Sequence, residues 1–270
     1  MKSGLLFFIF IFQFIFVNAQ VGRTPVTSVY TRIATYSTIN TDVFSFTGNQ
    51  AALAACKNFS AGVFGERRFA LEELGMYSLA VALPTSSGNF GLKADYFGGG
   101  EYNETTIGLA YARSLGNKLD IGVQFNYNMF RAGMYGNTSS INFDAGAIFH
   151  LTEKLQTGIH VYNPTGSKMR SGEEEKLPTI YNIGFGYDVS ERFFFGAEVE
   201  KMKDFPLSVN AGVHYKIDKL IARAGITTAT SVYYIGLGVL LNDIRIDATA
   251  SVHPYLGISP GLLLIYSGKR

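Results

Sequence analysis

The chain has 270 residues, 47% of them hydrophobic, 14% aromatic and only 16% charged, with 30 glycines against 7 prolines. That composition excludes an intrinsically disordered chain, and a net charge of +2 leaves no electrostatic footprint for a nucleic-acid partner. A single cysteine, Cys56, excludes an intrachain disulfide framework and reads as an inert thiol.

The first twenty residues, MKSGLLFFIFIFQFIFVNAQ, have the form of a leader. Lys2 supplies the positive start, residues 5–17 are an apolar run broken only by Gln13, and Val17, Asn18 and Ala19 surround a cleavage position. The run is shorter than the roughly 20 residues that a spanning helix needs. Residues 1–19 are therefore expected to be a signal peptide, cut after Ala19, with export of the remainder. Residues 20–57 are polar and carry no strand pattern. Asn49 to Cys56 should form a short helix, and the segment has a size that could enter a barrel lumen as a hatch.

From residue 58 onward the pattern changes. In residues 118–133, KLDIGVQFNYNMFRAG, the apolar residues Leu119, Ile121, Val123, Phe125, Tyr127 and Met129 alternate with Asp120, Gly122, Gln124, Asn126 and Asn128. This period of two is that of a strand with one apolar and one polar face. It recurs in residues 140–151, 179–189, 207–216 and 244–252. About fourteen such segments fill residues 58–270, each near the 9–11 residues of a membrane strand. The last, around LGISPGLLLIY, is apolar on both faces. The expected fold is all-β: a transmembrane, antiparallel, up-and-down barrel of about fourteen strands with an N-terminal plug-like segment. Tight connections (LGNK, LTEK, VSER, KIDK, LND) alternate with a set containing the longer GGGEYNE (98–104), AGMYGNT (132–138) and NPTGSKMRSGEEEK (163–176), as the two ends of an outer-membrane barrel require.

Alternation alone leaves open whether the apolar face meets a protein core or lipid. Three features favour lipid. The opposite face is rich in Gly, Asn, Ser, Asp and His. The apolar face is almost free of charge in strand after strand. Tyr and Phe recur toward segment ends (Tyr127, Phe149, Tyr181, Tyr215, Tyr233, Tyr266), as an interfacial girdle would. A soluble or fibre-forming β protein is the alternative.

The stretch Asn49-Gln50-Ala51-Ala52-Leu53, just ahead of the first strand, resembles the Asn-Pro-Ala-x-Leu element of the FadL-like outer-membrane superfamily, with Gln50 in place of Pro. IGLAYARSLGNKLDIGVQFNY, LPTIYNIGFGYDVSERFFFGAEVEK and SVHPYLGISPGLLL extend the resemblance over most of the chain. Within that superfamily it is similar to the PorV and PorQ barrels of type IX secretion. The resemblance implies a fourteen-stranded barrel of a Gram-negative outer membrane, a hatch in the lumen, and no enzymatic activity. It implies one of two roles: passage of small apolar compounds, which leave sideways through a wall opening, or service as a partner in protein export. A closed structural or interaction barrel is the alternative, and a barrel hydrolase a remote one. The partners expected are outer-membrane lipid and either secretion-system proteins or small apolar ligands.

No catalytic, cofactor or metal site emerges from the pattern. His150 should face about Leu155–Gln156 across the LTEK turn, with His160 much higher, so the two cannot share an ion. The polar lumen positions that stand out are Asp144, His160, Glu198, His214 and Arg223. The lumen glycines Gly184, Gly186, Gly196, Gly212, Gly225, Gly236 and Gly238 either make room for a plug or ligand or relieve curvature. Turn lengths put Gly196, Gly212, Arg223 and Gly236 at similar height, so Glu198 is expected to reach Arg223 across two strands. The run Glu173-Glu174-Glu175 reads as a solvated loop tip.

Overall fold

The computed structural model describes residues 28–169 and 176–268. The leader, residues 20–27 and the Glu173–Glu175 run lie outside the described residues.

Fourteen strands form a closed antiparallel barrel in which every strand pairs with its sequence neighbours and β1 closes on β14. They are β1 (Ser60–Arg67), β2 (Gly75–Thr85), β3 (Gly88–Gly98), β4 (Tyr102–Leu115), β5 (Leu119–Ala132), β6 (Gly136–His150), β7 (Leu155–Tyr162), β8 (Ile180–Asp188), β9 (Phe193–Met202), β10 (Ser208–Ile217), β11 (Leu220–Thr227), β12 (Val232–Leu241), β13 (Ile244–His253) and β14 (Gly257–Ser267). Each overlaps a segment read from the sequence. No described helix is long and apolar enough to cross a membrane.

Burial along β5 decides which face meets the interior. Asp120, Gln124, Asn126 and Asn128 are buried, whereas Ile121, Val123, Phe125 and Tyr127 are exposed. The inversion recurs around the ring: Phe125 is 63% exposed, Ile183 63% and Leu237 73%, while Asn182, His214 and Asp247 are buried. A water-soluble protein of this size does not leave so continuous an apolar surface bare. A bilayer covers it, and the closed ladder pairs the backbone groups that lipid cannot satisfy.

The connections β2–β3, β4–β5, β6–β7, β8–β9, β10–β11 and β12–β13 lie at one end together with both barrel termini, and the other seven lie at the opposite, loop end. Two of the three connections expected to be long are largely absorbed into strands. Tyr102 pairs with Ala132 and Gly98 with Asn103, so only residues 99–101 remain between β3 and β4. Ala132 pairs with Gly136. The Asn- and Thr-rich residues there satisfy their backbone in the ladder, and β4–β6 rise to 14–15 residues against 8–10 for β7–β13. The loop-end rim is therefore high over β4–β6 and low elsewhere. Of the connection from β7 to β8, residues 163–169 and 177 lie against the tall strands. Asn163 donates to Phe143 O at 3.1 Å, Ser140 Oγ donates to Lys168 O at 3.0 Å, and Met169 and Leu177 pack with Phe130.

Aromatic residues collect near both ends of the belt. Tyr181 and Tyr233 stand at the loop end, and Phe149, Tyr215 and Tyr266 at the turn end, where Phe59 and Phe193 join them. Tyr127 lies within the long β5 and belongs to neither group.

Candidate functional site

The turn-end half of the lumen is filled by the chain that precedes β1. Residues 28–57 carry a one-turn helix, α1 (Val29–Arg32), and 3-10 turns at Ser45–Thr47 and Gln50–Ala55. The short helix expected at Asn49–Cys56 is the second of these turns. Asn49 caps it by accepting from the Ala51 amide at 3.0 Å, and its side-chain amide donates to Ile159 O on β7 at 3.0 Å. One residue thus ends the turn and fastens it to the wall. Ala51 and Leu53 are fully buried.

The apolar side of the plug, Val43, Phe44, Phe46 and Leu53, packs on Phe64, Met76, Ala80, Ala110, Leu263 and Ile265. This explains why β14 is apolar on both faces: one side meets lipid and the other meets the plug. Cys56 packs against this cluster, and burial pushes its thiol up to about 12, out of the reactive range.

The polar side of the plug is bound by ion pairs and hydrogen bonds. Asp42 receives Arg223 Nη2 and Arg245 Nη1, each at 3.0 Å. Arg245 is held in turn by Asp247, which accepts from the Tyr30 hydroxyl at 2.8 Å. Arg223 also donates through Nε to His214 Nδ1 at 3.0 Å and lies over the Tyr30 ring. Farther round, Tyr36 donates to Glu198 at 3.1 Å, Arg32 stands 3.8 Å from the same carboxylate, and Ser37 and Thr38 donate to Asp188 at 2.6 and 2.7 Å. Burial raises the phenol pKa of both Tyr30 and Tyr36, so each acts as a hydrogen-bond donor.

The expected Glu198–Arg223 contact is not made. The ladder sets Arg223 opposite His214 and Gly236, and it sets Gly212 opposite Gly196 and Gly225, one lumen position away. The plug also comes between the two side chains and supplies each with its own partner: Arg32 and Tyr36 for Glu198, Asp42 for Arg223. Among the lumen glycines, several are seats for the plug. A Cβ at Gly184 would run into the Tyr36 ring, and one at Gly236 into Tyr30. Gly196 and Gly212 border Ile33. Asp144 anchors a buried network with Asn126 at 2.8 Å and Asn142 at 2.9 Å. His150 pairs with Gln156, and His160 with Gly146 four residues earlier on β6, so the two do not converge.

Above the plug the lumen opens into a cavity of about 650 Å³ at the loop end. Its rim mixes the apolar Ile180, Met202, Phe205, Pro206 and Leu256 with the polar Glu66, Arg68, Glu200 and His253, and its floor is polar, with Gln50, Lys93, Asp144, His160 and Asn182. The 3-10 turn Arg68–Ala70 folds inward over β14, where the Phe69 amide donates to Ser259 Oγ at 2.9 Å and its ring stacks edge-on to His253 at 6.0 Å. Phe69 and Ala70 both adopt positive φ, which tips this turn into the mouth.

A closed, plugged barrel with an open vestibule at the loop end is the class of molecule that these features define. No protein-family model and no curated protein matches the chain. Solved structures do. The Pseudomonas putida toluene transporter TodX superposes with a TM-score of 0.63 at 10% identity, covering 90% of this chain and 96% of its own. The CymD monoaromatic hydrocarbon channel gives 0.62 at 12% identity, over 86% of this chain and 94% of its own. A Pseudomonas aeruginosa FadL homologue gives 0.60 at 12% identity, over 90% and 97%. What is shared at such identities is the barrel fold, over nearly the whole length of this chain.

Proposed function

We propose that this chain is a non-enzymatic barrel of the Gram-negative outer membrane that admits small apolar compounds from the cell exterior into its lumen. The observation that carries this reading is the vestibule. It is an open cavity of about 650 Å³, in the size range of small-molecule sites, with Ile180, Met202, Phe205, Pro206 and Leu256 among the side chains at its mouth, at the end away from the termini. The similarity to a toluene transporter and a monoaromatic hydrocarbon channel supports the same reading. With both termini of the barrel on the periplasmic side, the mouth faces outward. The strands close into one ring and the plug fills its turn-end half, so the straight path along the lumen runs past the plug. Expression in a Gram-negative host that lacks such channels tests the proposal. Uptake of labelled toluene should rise over the empty host, and an unchanged rate would overturn it.

The second reading, a partner in type IX secretion, is favoured by a different observation. The loop-end tips present Met134, 100% exposed, and Tyr255, 91% exposed. Unchanged toluene uptake together with stoichiometric recovery of a secretion-system component from native membranes would select it.

A further inference from the structure

The floor of the vestibule gathers four buried polar side chains. His160 on β7 stands directly opposite Asn182 on β8, Asn210 projects from β10, and Gln50 rises from the plug. All four line the cavity, and each is more than nine-tenths buried: 6% exposed for His160, 3% for Asn182, 7% for Asn210 and 1% for Gln50. Among the described residues, both ring nitrogens of His160 and the side-chain oxygens of Asn182, Asn210 and Gln50 have no hydrogen-bond partner. Buried polar groups left in that state are costly, and a ring of them around one cavity marks a place where another molecule completes the bonding.

The charge around the cavity bears on what that molecule is. Each cation of the lining already has a carboxylate within 4 Å: Arg32 with Glu198 at 3.8 Å, Arg68 with Glu66 at 3.8 Å and Lys93 with Asp95 at 3.3 Å. An anionic head group would find no uncommitted positive charge there. A hydroxyl suits the floor, because it donates to the amide oxygens and can both give to and take from an imidazole. A bare hydrocarbon would displace water from these atoms and return no bond, which loses affinity.

We infer that the vestibule selects an uncharged small molecule carrying a hydroxyl on an apolar body. The hydroxyl sits between the facing His160 and Asn182, with Asn210 and Gln50 farther along the floor, and the body lies against Ile180, Met202 and Phe205 at the rim. This rests on the reading of the barrel as a channel for small apolar compounds and narrows its substrate class.

Toluene and p-cresol share a ring and differ by one hydroxyl, so they isolate the floor. Calorimetric titration of the detergent-solubilised full chain at neutral pH, where p-cresol is uncharged, should give about tenfold tighter binding of p-cresol, the worth of one well-made hydrogen bond in a buried site. In His160→Leu and in Asn182→Leu that preference should largely vanish while toluene binding stays or improves, and Asn182→Ser should restore part of it. Heat-dependent gel mobility checks that each variant is folded. Toluene bound as tightly as p-cresol, or a cresol preference that survives both leucine variants, overturns the inference and leaves the channel reading intact. Binding of neither compound removes the channel reading and the inference with it.

Discussion

Two kinds of residue hold the plug, and they act through different physics. Asp42 is electrostatic. It neutralises Arg223, whose side chain is wholly buried, and shares Arg245 with Asp247. Asp42→Ala would leave Arg223 in a low-dielectric lumen without its hydrogen-bonded carboxylate, and breaking a buried pair in this way costs about 3–5 kcal/mol. Plug docking should weaken by that order, seen as faster proteolysis between residues 28 and 57 in the folded barrel. Arg245→Met should cost less, because Asp42 keeps Arg223. The glycines are steric. At Gly184 an added Cβ meets the Tyr36 ring, so Gly184→Ala should destabilise docking by about 1–3 kcal/mol, as overpacking does. Tyr36→Ala should relieve most of that loss in a double-mutant cycle, whereas additive losses would mean that Gly184 serves only strand curvature. The sequence marked Arg223, Glu198 and the lumen glycines as notable but paired them wrongly. Partners supplied by a stretch without strand or helix period have no register, and nothing local tells at what height Asp42 or Tyr36 will lie.

At the scale of the element, strands and plug differ in how they announce themselves. A strand of this barrel reports its own geometry, because lipid outside and polar groups inside impose a period of two on nearly every residue. Thirteen strands were legible for that reason, and so were the tight turns that fix register at the turn end; β14, apolar on both faces, was ambiguous. The hairpin heights at the loop end were not, because polar residues such as Asn103 and Asn137 suit a solvated loop and a strand rising above the belt equally well. The plug was legible only as an absence of strand pattern with a short helical stretch. Its apolar side is visible in retrospect from the wall: β14 is apolar on both faces, and β2 and β4 carry Ala80, Ala82, Ala110 and Ala112 on their inner faces, where a water-filled lumen would call for polar groups. Deleting residues 20–57 of the exported chain should therefore leave a folded, heat-modifiable barrel that conducts. In planar bilayers its ionic conductance should rise well above that of the full chain, and equal conductances would mean that the segment does not block the lumen.

The whole molecule is an inverted protein, with its hydrogen-bonded polar residues inside and its aliphatic residues outside, and that inversion makes its tolerance to charge depend on depth. Leu237 lies midway along β12 and is 73% exposed, and Leu220 opens β11 at the turn end and is 61% exposed. In water the two sites would accept arginine about equally, since both already face solvent and neither packs in a core. In a bilayer they diverge. An arginine on the lipid face near the midplane costs about 2–4 kcal/mol, and one near the interface about 0–1, because its guanidinium can reach the head groups. Leu237→Arg should lower the unfolding free energy of the barrel in lipid vesicles by the larger amount and Leu220→Arg by the smaller, as read from urea titrations followed by the heat-dependent gel shift. The same pair measured in short-chain detergent should differ less, because a micelle deforms around the charge. Equal losses at both sites in lipid would mean that the apolar belt does not sit across a bilayer with β12 at its centre.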